Sequence, residues 1–411
     1  MTLPEPAGGP GHRSVVARRL LGELPSTVAV LAAVAFAVAV GFGIVAPVIP
    51  LFAREFGVGN AAAGAVVSAF ALMRLTSALA GGRLVDRLGE RAVLAAGLAI
   101  VSVSSVLAGL AQSYEQLLVL RGVGGVGSAM FTVSAVSLLL RIVRPDQRGR
   151  ASAWFQGGFL VGGVTGPAFG GALATISLRA PFFVYAGALG AALVITLVAL
   201  RGPAAARPVT AGGHPPSRSS LRAAFANPAY RAALVTNLGN GWVLFGIRSS
   251  LIPLFVADVL GRTAFWVGIG FLVGSLTQAA ALWPAGRMVD QIGRKPAMVA
   301  GSVLGVASMA LMIGVQTLPG FLAAMAVYGI AAAFLGVAPA AVVGDVVEGQ
   351  GGRVVAAFQM AADLGAVAGP LLAGWLADEV SYTAALGVGA IVIGVAGVLA
   401  TRMPETRAAS R

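Results

Sequence analysis

Long apolar stretches alternate with short polar segments along the whole chain. A helix needs about 20 mainly apolar residues to cross a bilayer, and twelve stretches meet that length. They occupy residues 27–50, 61–82, 91–111, 115–140, 151–175, 181–200, 231–256, 264–286, 296–315, 319–342, 353–376 and 381–401. The pattern therefore predicts an all-α membrane protein with twelve transmembrane helices.

Composition supports a bilayer as the main solvent. Mean hydropathy is +0.90 and charged residues make up 10%, against about 25% in a soluble domain. The 57 glycines suit helices that pack closely in lipid. The chain has no cysteine, and its two histidines, His12 and His214, lie outside the predicted spans. We therefore expect no metal site, no cofactor and no thiol or histidine catalysis.

The net charge of +13 raises the question of nucleic acid, but its distribution favours a membrane. Of the 28 Lys and Arg residues, we place three in outer loops, three within spans and the rest on the cytoplasmic side. The outer-loop residues are Arg54, Arg179 and Arg262, and those within spans are Arg74, Arg121 and Arg248. This asymmetry follows the positive-inside rule. It predicts a multi-pass protein of the cytoplasmic membrane with both termini cytoplasmic, residues 1–26 being an uncleaved N-terminal segment, and no nucleic-acid partner.

A charged turn occurs twice, each time after a long apolar stretch. Residues 82–91 read GRLVDRLGER, and residues 286–295 read GRMVDQIGRK. Two further matches, IPLF at 49–52 and 252–255 and the Gly-Pro pairs at 166–167 and 369–370, have nearly the same separation. We therefore predict two pseudo-symmetric six-helix bundles in the same orientation. Their bounds are 27–200 and 231–401, with a cytoplasmic linker at 201–230 and a tail at 402–411.

The linker is rich in proline and arginine. Residues 219–225 form either a short helix on the membrane surface or part of a flexible tether.

The repeated turn resembles the signature of the major facilitator superfamily, and the resemblance extends over essentially the whole chain. It implies secondary transport by two halves that rock around a site near the bilayer midplane. The turn residues would latch the ends of helices in one conformation, although a plain solvated turn also fits. The implied gating residues are Gly82, Arg83, Asp86, Arg87, Gly89 and Arg91 in the first copy and Gly286, Arg287, Asp290, Gly293 and Arg294 in the second. The sequence departs from the signature at Glu90 and Gln291.

The fifth stretch resembles the Gly-Pro element associated with the drug:proton antiporters of that family. Its matching residues are Gly162, Gly166, Pro167, Gly170 and Gly171. Proline removes a backbone hydrogen bond and the glycines permit close packing. The resemblance implies antiport, and hence export, although glycine-rich packing alone is the alternative.

Ionisable side chains within the spans are candidate functional residues, because burying them in a bilayer is costly. Arg121 starts a narrow polar face of the fourth stretch, which either faces the bundle interior or lets the side chain reach the outer interface. Asp363 is the one acid we place deep in the membrane. It either exchanges a proton during transport or forms a static pair with an arginine. The predicted coupling and cavity residues are Arg74, Arg121, Arg248, Asp363, Asn240 and Gln359.

Three arginines against one aspartate give a cavity of positive charge, which suits an anionic or neutral amphipathic cargo. We predict a proton-coupled exporter of a small organic molecule, a drug or a metabolite, that functions as a single chain in the lipid bilayer. The alternatives are an importer or symporter of an anionic metabolite and a non-transporting membrane sensor. An intramembrane enzyme would need a nucleophile and base set that the spans do not supply.

Overall fold

A computed structural model describes residues 24–144, 147–200, 221–346 and 352–406. These residues form helices and no β-strand, and twelve helices are long and apolar enough to cross a membrane. The spans are Ser26–Val45, Asn60–Leu88, Glu90–Gly109, Tyr114–Ile142, Arg148–Ala174, Ala180–Ala199, Pro228–Asp258, Ala264–Gln291, Arg294–Gly314, Leu318–Val346, Gly352–Glu379 and Tyr382–Arg402, numbered 1 to 12 below. The predicted fold class is confirmed.

The two copies of the charged turn have the same local geometry. Span 2 ends at Leu88, Gly89 follows with φ of 81°, and the next span begins at Glu90. Gly293 has φ of 143° at the equivalent place between spans 8 and 9. Residues with a side chain rarely adopt these φ values, so glycine permits the direct helix-to-helix turn. The glycines that identify the repeat are therefore required by the backbone.

Span 7 differs from the single regular helix that the sequence predicts. It consists of Pro228–Gly241, a π-helical segment Trp242–Leu251 and Ile252–Asp258. The equivalent span 1 ends at Val45, and a short helix, Ile49–Arg54, follows it. Wider π-helical turns are frequent at functional sites. This one contains Phe245 and Ser249, which line the cavity between the halves described below.

The described part of the linker forms a helix, Leu221–Ala226, with Ala224 buried against the second half. Of the two alternatives for residues 219–225, the structure therefore shows a packed helix, while residues 219 and 220 lie outside the described part. Span 7 begins at Pro228, so the helical bundle starts before the predicted residue 231. Residues 1–23 of the predicted N-terminal segment and residues 407–411 of the tail also lie outside the described residues.

Two symmetric crossings join the halves. At the first, span 2 meets span 11, and at the second, span 8 meets span 5. A Cβ atom added to Gly64 would collide with the carbonyl of Pro370, and one on Gly268 would lie 2.6 Å from the carbonyl oxygen of Pro167. The repeated Gly-Pro pair thus supplies the same backbone contact at each crossing.

Large apolar side chains are exposed on the outer surface. Val119, Phe169, Ile176, Val194 and Ile391 are each more than half exposed. Apolar area of this extent is costly in water, and it suits the lipid-facing surface of a membrane protein.

Candidate functional site

One end of the molecule is closed by a polar cluster that connects the halves. We call the residues that form it the closed-end cluster: Arg54, Asn60, Asp258, Asp378 and Tyr382. Arg54 forms an ion pair with Asp258, and the Tyr382 hydroxyl donates to the same carboxylate. Arg54 also lies 3.4 Å from the side-chain oxygen of Asn60. Both ionic side chains are about a third exposed (38% and 34%), so water screens part of the attraction.

Asp378 adds a second connection at the closed end. Its carboxylate accepts hydrogen bonds from the backbone amides of Asn60, at 2.9 Å, and Ala61, at 2.7 Å. These amides begin span 2, where the helix dipole favours a negative charge. The end of span 11 is therefore fixed to the beginning of span 2 through charge-assisted hydrogen bonds.

The repeated turns lie at the opposite end, which we call the open end. Asp86 and Asp290 are exposed, and neither forms a hydrogen bond with a described residue. A Cβ atom on Gly82 or Gly286 would meet nothing within 4 Å. The gating role of Asp86, Asp290 and their neighbours Arg83 and Arg87 stays a prediction. In this conformation the carboxylate that joins the halves by binding a helix N-terminus is Asp378, at the closed end.

The departure at Glu90 has a structural reason. Glu90 accepts a salt bridge from Arg141 at 3.1 Å, between the start of span 3 and the end of span 4. In the second half, Arg294 forms a two-contact pair with Asp345, at 2.9 and 3.3 Å. Glu90 and Arg294 hold equivalent positions, as do Arg141 and Asp345. Each half therefore has the same pair with its charges exchanged.

The two turns also have different additional contacts. Arg91 donates to the carbonyl oxygen of Leu197 at 2.8 Å. In the second half, Glu405 accepts from the backbone amides of Arg294 and Lys295, at 2.9 and 3.0 Å. The chain segment after span 12 is thereby attached to the second turn.

The glycines of span 5 have two kinds of neighbour. A Cβ atom on Gly162 would lie 2.6 Å from the carbonyl oxygen of Phe36 in span 1, and Gly166 and Gly170 make similar approaches. One on Gly171 would lie 2.8 Å from the Cα of Gly268 in the other half. The antiporter-like element therefore packs span 5 against span 1 and also forms the second crossing.

An ion pair joins the halves at mid-depth. Arg74 of span 2 contacts Asp363 of span 11. Arg74 lies fourteen residues beyond Asn60, or about 21 Å along the helix. The pair is formed in this structure, and it connects the two halves. Phe245 of span 7 is 5.9 Å from the Arg74 guanidinium.

The side chains of the two amide candidates form no hydrogen bond with a described residue. Gln359 is exposed one helical turn from Asp363, and Asn240 is half-buried. Instead, the Asn237 side chain donates to the carbonyl oxygen of Phe358 at 2.7 Å and ties span 7 to span 11. Helical periodicity could have indicated this residue, because it precedes Asn240 by about one turn.

Arg121 faces the interior. It is only 3% exposed, which excludes the alternative in which it reaches the interface. Its guanidinium carbon lies 4.6 Å from the centre of the Phe70 ring. A small cavity beside it includes Phe245 and Ser249 of the other half. Arg121 therefore lies where the two halves meet.

Arg248 has a different environment. Its guanidinium donates to the Ser275 hydroxyl at 3.0 Å and to the carbonyl oxygen of Phe271 at 3.2 Å. Both acceptors lie on span 8, and the Phe271 ring centre is 4.7 Å away. Arg248 is thus held within the second half.

Most of the closed-end cluster could not be predicted from the sequence. The sequence places Arg54 in an outer loop and gives no role to Asn60, Asp258, Asp378 or Tyr382. One signal was available, since Arg54 and Asp258 are separated by 204 residues, the same separation as the repeated turns. Equivalent residues near a pseudo-twofold axis come close together.

The comparisons with known proteins identify the family. The sequence pattern described as Major Facilitator Superfamily matches residues 31–275 and 243–411. The chain belongs to the Major Facilitator Superfamily. The predicted family is confirmed, and the protein is a multi-pass membrane transporter related to drug efflux proteins.

Two curated relatives within this superfamily are drug-resistance proteins. Multidrug resistance protein 1 of Bacillus subtilis (strain 168) is 26% identical over 391 residues, which cover 93% of this chain and 98% of that protein. Quinolone resistance protein NorA of Staphylococcus aureus is 30% identical over 169 residues, 41% of this chain and 43% of NorA. Similarity to the first relative thus extends over nearly the whole chain.

Solved structures show the same fold. A bacterial homologue of the human lysosomal transporter Spinster, in an inward-facing and unoccupied conformation, has a TM-score of 0.73 at 16% identity, covering 91% of this chain and 95% of that one. The nucleoside transporter NupG, as a D323A mutant, has a TM-score of 0.69 at 16% identity, covering 91% and 98%. At this identity the likeness concerns the fold alone.

Proposed function

We propose that this superfamily member is a proton-coupled exporter of small organic molecules that works by alternating access. The observation that carries the proposal is the Arg74–Asp363 pair, which lies at mid-depth and connects two halves that are joined at one end. A titratable carboxylate at that place can link proton binding to relative movement of the halves.

The open end is cytoplasmic in this proposal, because the positive-inside distribution places both termini there. The structure is then an inward-facing conformation. Rocking the halves would separate Arg54 from Asp258 and would bring the turns with Asp86 and Asp290 towards the opposite half. The glycine contacts at the crossings allow such movement, since no bulky side chain locks one backbone against the other.

Asp363 would carry the proton. In the structure its carboxylate is paired with Arg74. When the halves move, the pair separates, and a carboxylate left in a poorly solvated place binds a proton more readily. The proton would bind while the site faces outwards and leave when Arg74 returns, so inward proton flow drives cargo outwards.

Two observations favour export by a single chain. The antiporter-like element of span 5 forms both a packing face and a crossing, as described above. The relative that matches nearly the whole chain is named a multidrug resistance protein. Both halves lie in one polypeptide, so we propose that a monomer in the bilayer suffices and that the cargo is released chemically unchanged.

The test uses purified protein in proteoliposomes, with a fluorescent quinolone as cargo. An acidic lumen should drive quinolone accumulation, because protons leave as cargo enters. The Asp363→Asn variant should reduce this accumulation to about one tenth or less, while exchange without a gradient continues. Glu379→Gln, an exposed acid on the same helix, is the matched control and should transport normally.

The sign of the gradient separates export from import. Accumulation driven by an alkaline lumen would indicate a symporter, and binding without flux would indicate a sensor. Undiminished gradient-driven accumulation by Asp363→Asn would remove Asp363 as the coupling acid.

A further inference from the structure

We infer that Arg121 is the recognition point for an anionic group on an amphipathic, aromatic cargo. This inference rests on the proposed function, since it assumes that the cavity between the halves is the cargo site. It goes beyond that proposal by fixing the chemical class of the cargo and the residue that selects it.

Arg121 has no hydrogen-bond acceptor among the described residues. The side chain is almost fully buried, yet none of its nitrogens donates a hydrogen bond to a described residue, and its Nε atom is buried without an acceptor. The Tyr185 hydroxyl is an electrostatic neighbour of the guanidinium, and no carboxylate of the described residues pairs with Arg121. A buried guanidinium without an anion is costly, so a function other than packing is needed to explain it.

The other two arginines within the spans, Arg74 and Arg248, have partners in the protein. Arg74 has Asp363 as its counter-ion, and Arg248 has the Ser275 hydroxyl and the carbonyl oxygen of Phe271 as acceptors. Arg121 alone among these three has neither a counter-ion nor an acceptor. Its positive charge is therefore available to a molecule that enters the cavity.

The cavity beside Arg121 has a volume of about 10 Å³ in this conformation, so it must widen to hold a whole cargo. Spans 1, 2, 4 and 7 contribute its walls, so both halves take part. The lining residues that would contact a cargo are Phe42, Val67, Phe70, Phe245 and Ser249. Phe70 covers one face of the guanidinium and leaves the N–H groups at its edge, which can form a two-pronged contact with a carboxylate.

A cargo would reach the region of Arg121 from the open end, along the polar face of span 4. Thr132 is exposed on the same helical face as Arg121, three turns towards the open end. At the equivalent position of span 10, Gly336 would meet nothing within 4 Å if it carried a Cβ atom. The opposite face of span 4, with Val119 and Val123, is apolar and exposed, as expected for a lipid-facing surface. Between Arg121 and Thr132 the buried Gly125 packs against the carbonyl oxygen of Phe70, so a cargo would reach Arg121 through the cavity between the halves, beside Phe245 and Ser249.

The test compares two dyes that share a xanthene ring system and differ in charge. Fluorescein is anionic, and a rhodamine ester is cationic. Binding to detergent-purified protein is measured by fluorescence anisotropy at equilibrium. We expect fluorescein to bind more tightly, and Arg121→Gln to weaken fluorescein binding by about tenfold or more. Rhodamine ester binding should stay the same or strengthen.

Two further variants control for folding and for charge. Arg179→Gln removes an arginine outside the cavity that already donates to the carbonyl oxygen of Gly109 and lies over the Phe52 ring, and it should change fluorescein affinity less than about threefold. Arg121→Lys keeps the charge but loses the two-pronged geometry, and it should give an intermediate affinity. All variants are compared at equal monodispersity in size-exclusion chromatography.

Equal or tighter binding of the rhodamine ester by the wild type, absence of fluorescein binding, or equal losses for both dyes in Arg121→Gln would overturn the inference. Because binding is measured without a proton gradient, its outcome is independent of the coupling test. Anion-selective binding without gradient-driven flux would contradict the proposed function and leave the role of Arg121 intact.

Discussion

The first and second halves share a backbone plan but differ in their charges. Both have the tight glycine turn after the second helix and the glycine contact with a Gly-Pro carbonyl at a crossing. Yet Arg54 in the first half corresponds to Asp258 in the second. Close backbone packing is therefore duplicated, whereas charged side chains have diverged.

The reason for divergence is clearest at the closed end. Arg54 and Asp258 are equivalent residues that meet across the pseudo-twofold relation of the halves. Identical residues there would bring like charges together, which is unfavourable. Opposite charges attract, so a pair on the axis requires two different residues. Within each half this restriction is absent, and the exchanged pairs at Glu90 and Arg294 do the same structural task in either orientation.

The crossings show the same contrast at mid-depth. The first crossing contains the Arg74–Asp363 pair. At the second crossing the equivalent residues are Gln278 and Leu160, which cannot form an ion pair. The first crossing therefore combines packing with titratable chemistry, while the second provides the matching backbone contact without it.

The largest expected effect comes from breaking what the crossings share. Gly64→Val and Gly268→Val should each destabilise the protein by about 1–3 kcal/mol, because the added side chain collides with a backbone carbonyl. Thermal unfolding in detergent measures the loss. Gly163→Val is the control, since a Cβ atom there meets nothing within 4 Å. If Gly268→Val behaved like Gly163→Val, the two crossings would not be equivalent in packing.

A smaller effect is expected from the charges that differ between the halves. Asp258→Asn should weaken the closed end by about 1 kcal/mol, because it removes the ion pair with Arg54. The population with a separated closed end should then rise about fivefold. Spin labels on Glu55→Cys and Arg262→Cys would report the distance between the halves, and the chain has no natural cysteine to interfere.

The control for that experiment is Asp345→Asn, which removes an ion pair within one half and should leave the distance distribution unchanged. An unchanged distribution in Asp258→Asn would show that the closed-end cluster does not hold the halves together.

The smallest effect should come from the exchanged pairs. Glu90→Arg places two arginines together and should cost about 0.5–1 kcal/mol. Adding Arg141→Asp should recover most of that loss, because it recreates in the first half the arrangement of Arg294 and Asp345. A double-mutant cycle in chemical denaturation gives the coupling energy. A cycle without recovery would mean that the orientation of the pair is fixed by its surroundings.

Much of the fold could be predicted from the sequence, because a bilayer sets the length and apolar character of each helix that crosses it. Span number followed from apolar length, and the repeat followed from residues such as Gly89 and Gly293 that backbone geometry requires. The candidate site was less accessible. Arg74 and Asp363 were each identified as costly within a bilayer, but their pairing depends on helices far apart in the chain.

The π-helical segment of span 7 was also outside the reach of periodicity. Its residues have ordinary helix-forming character, and the widened turn occurs where Gly246 packs directly on Gly369 of span 11. The role of Asp378 could not be predicted for a similar reason, because its partners are amides at the start of another helix.

The sequence by itself determined twelve helices, two related halves and a few charges that a membrane would tolerate only for a purpose. Those features depend on the local match between side chains and lipid, which each segment expresses independently of the others. The tertiary structure decided which end is closed, which arginine has a counter-ion and which is left for a ligand. Such outcomes depend on distances between segments hundreds of residues apart, and these distances are set when the two bundles pack.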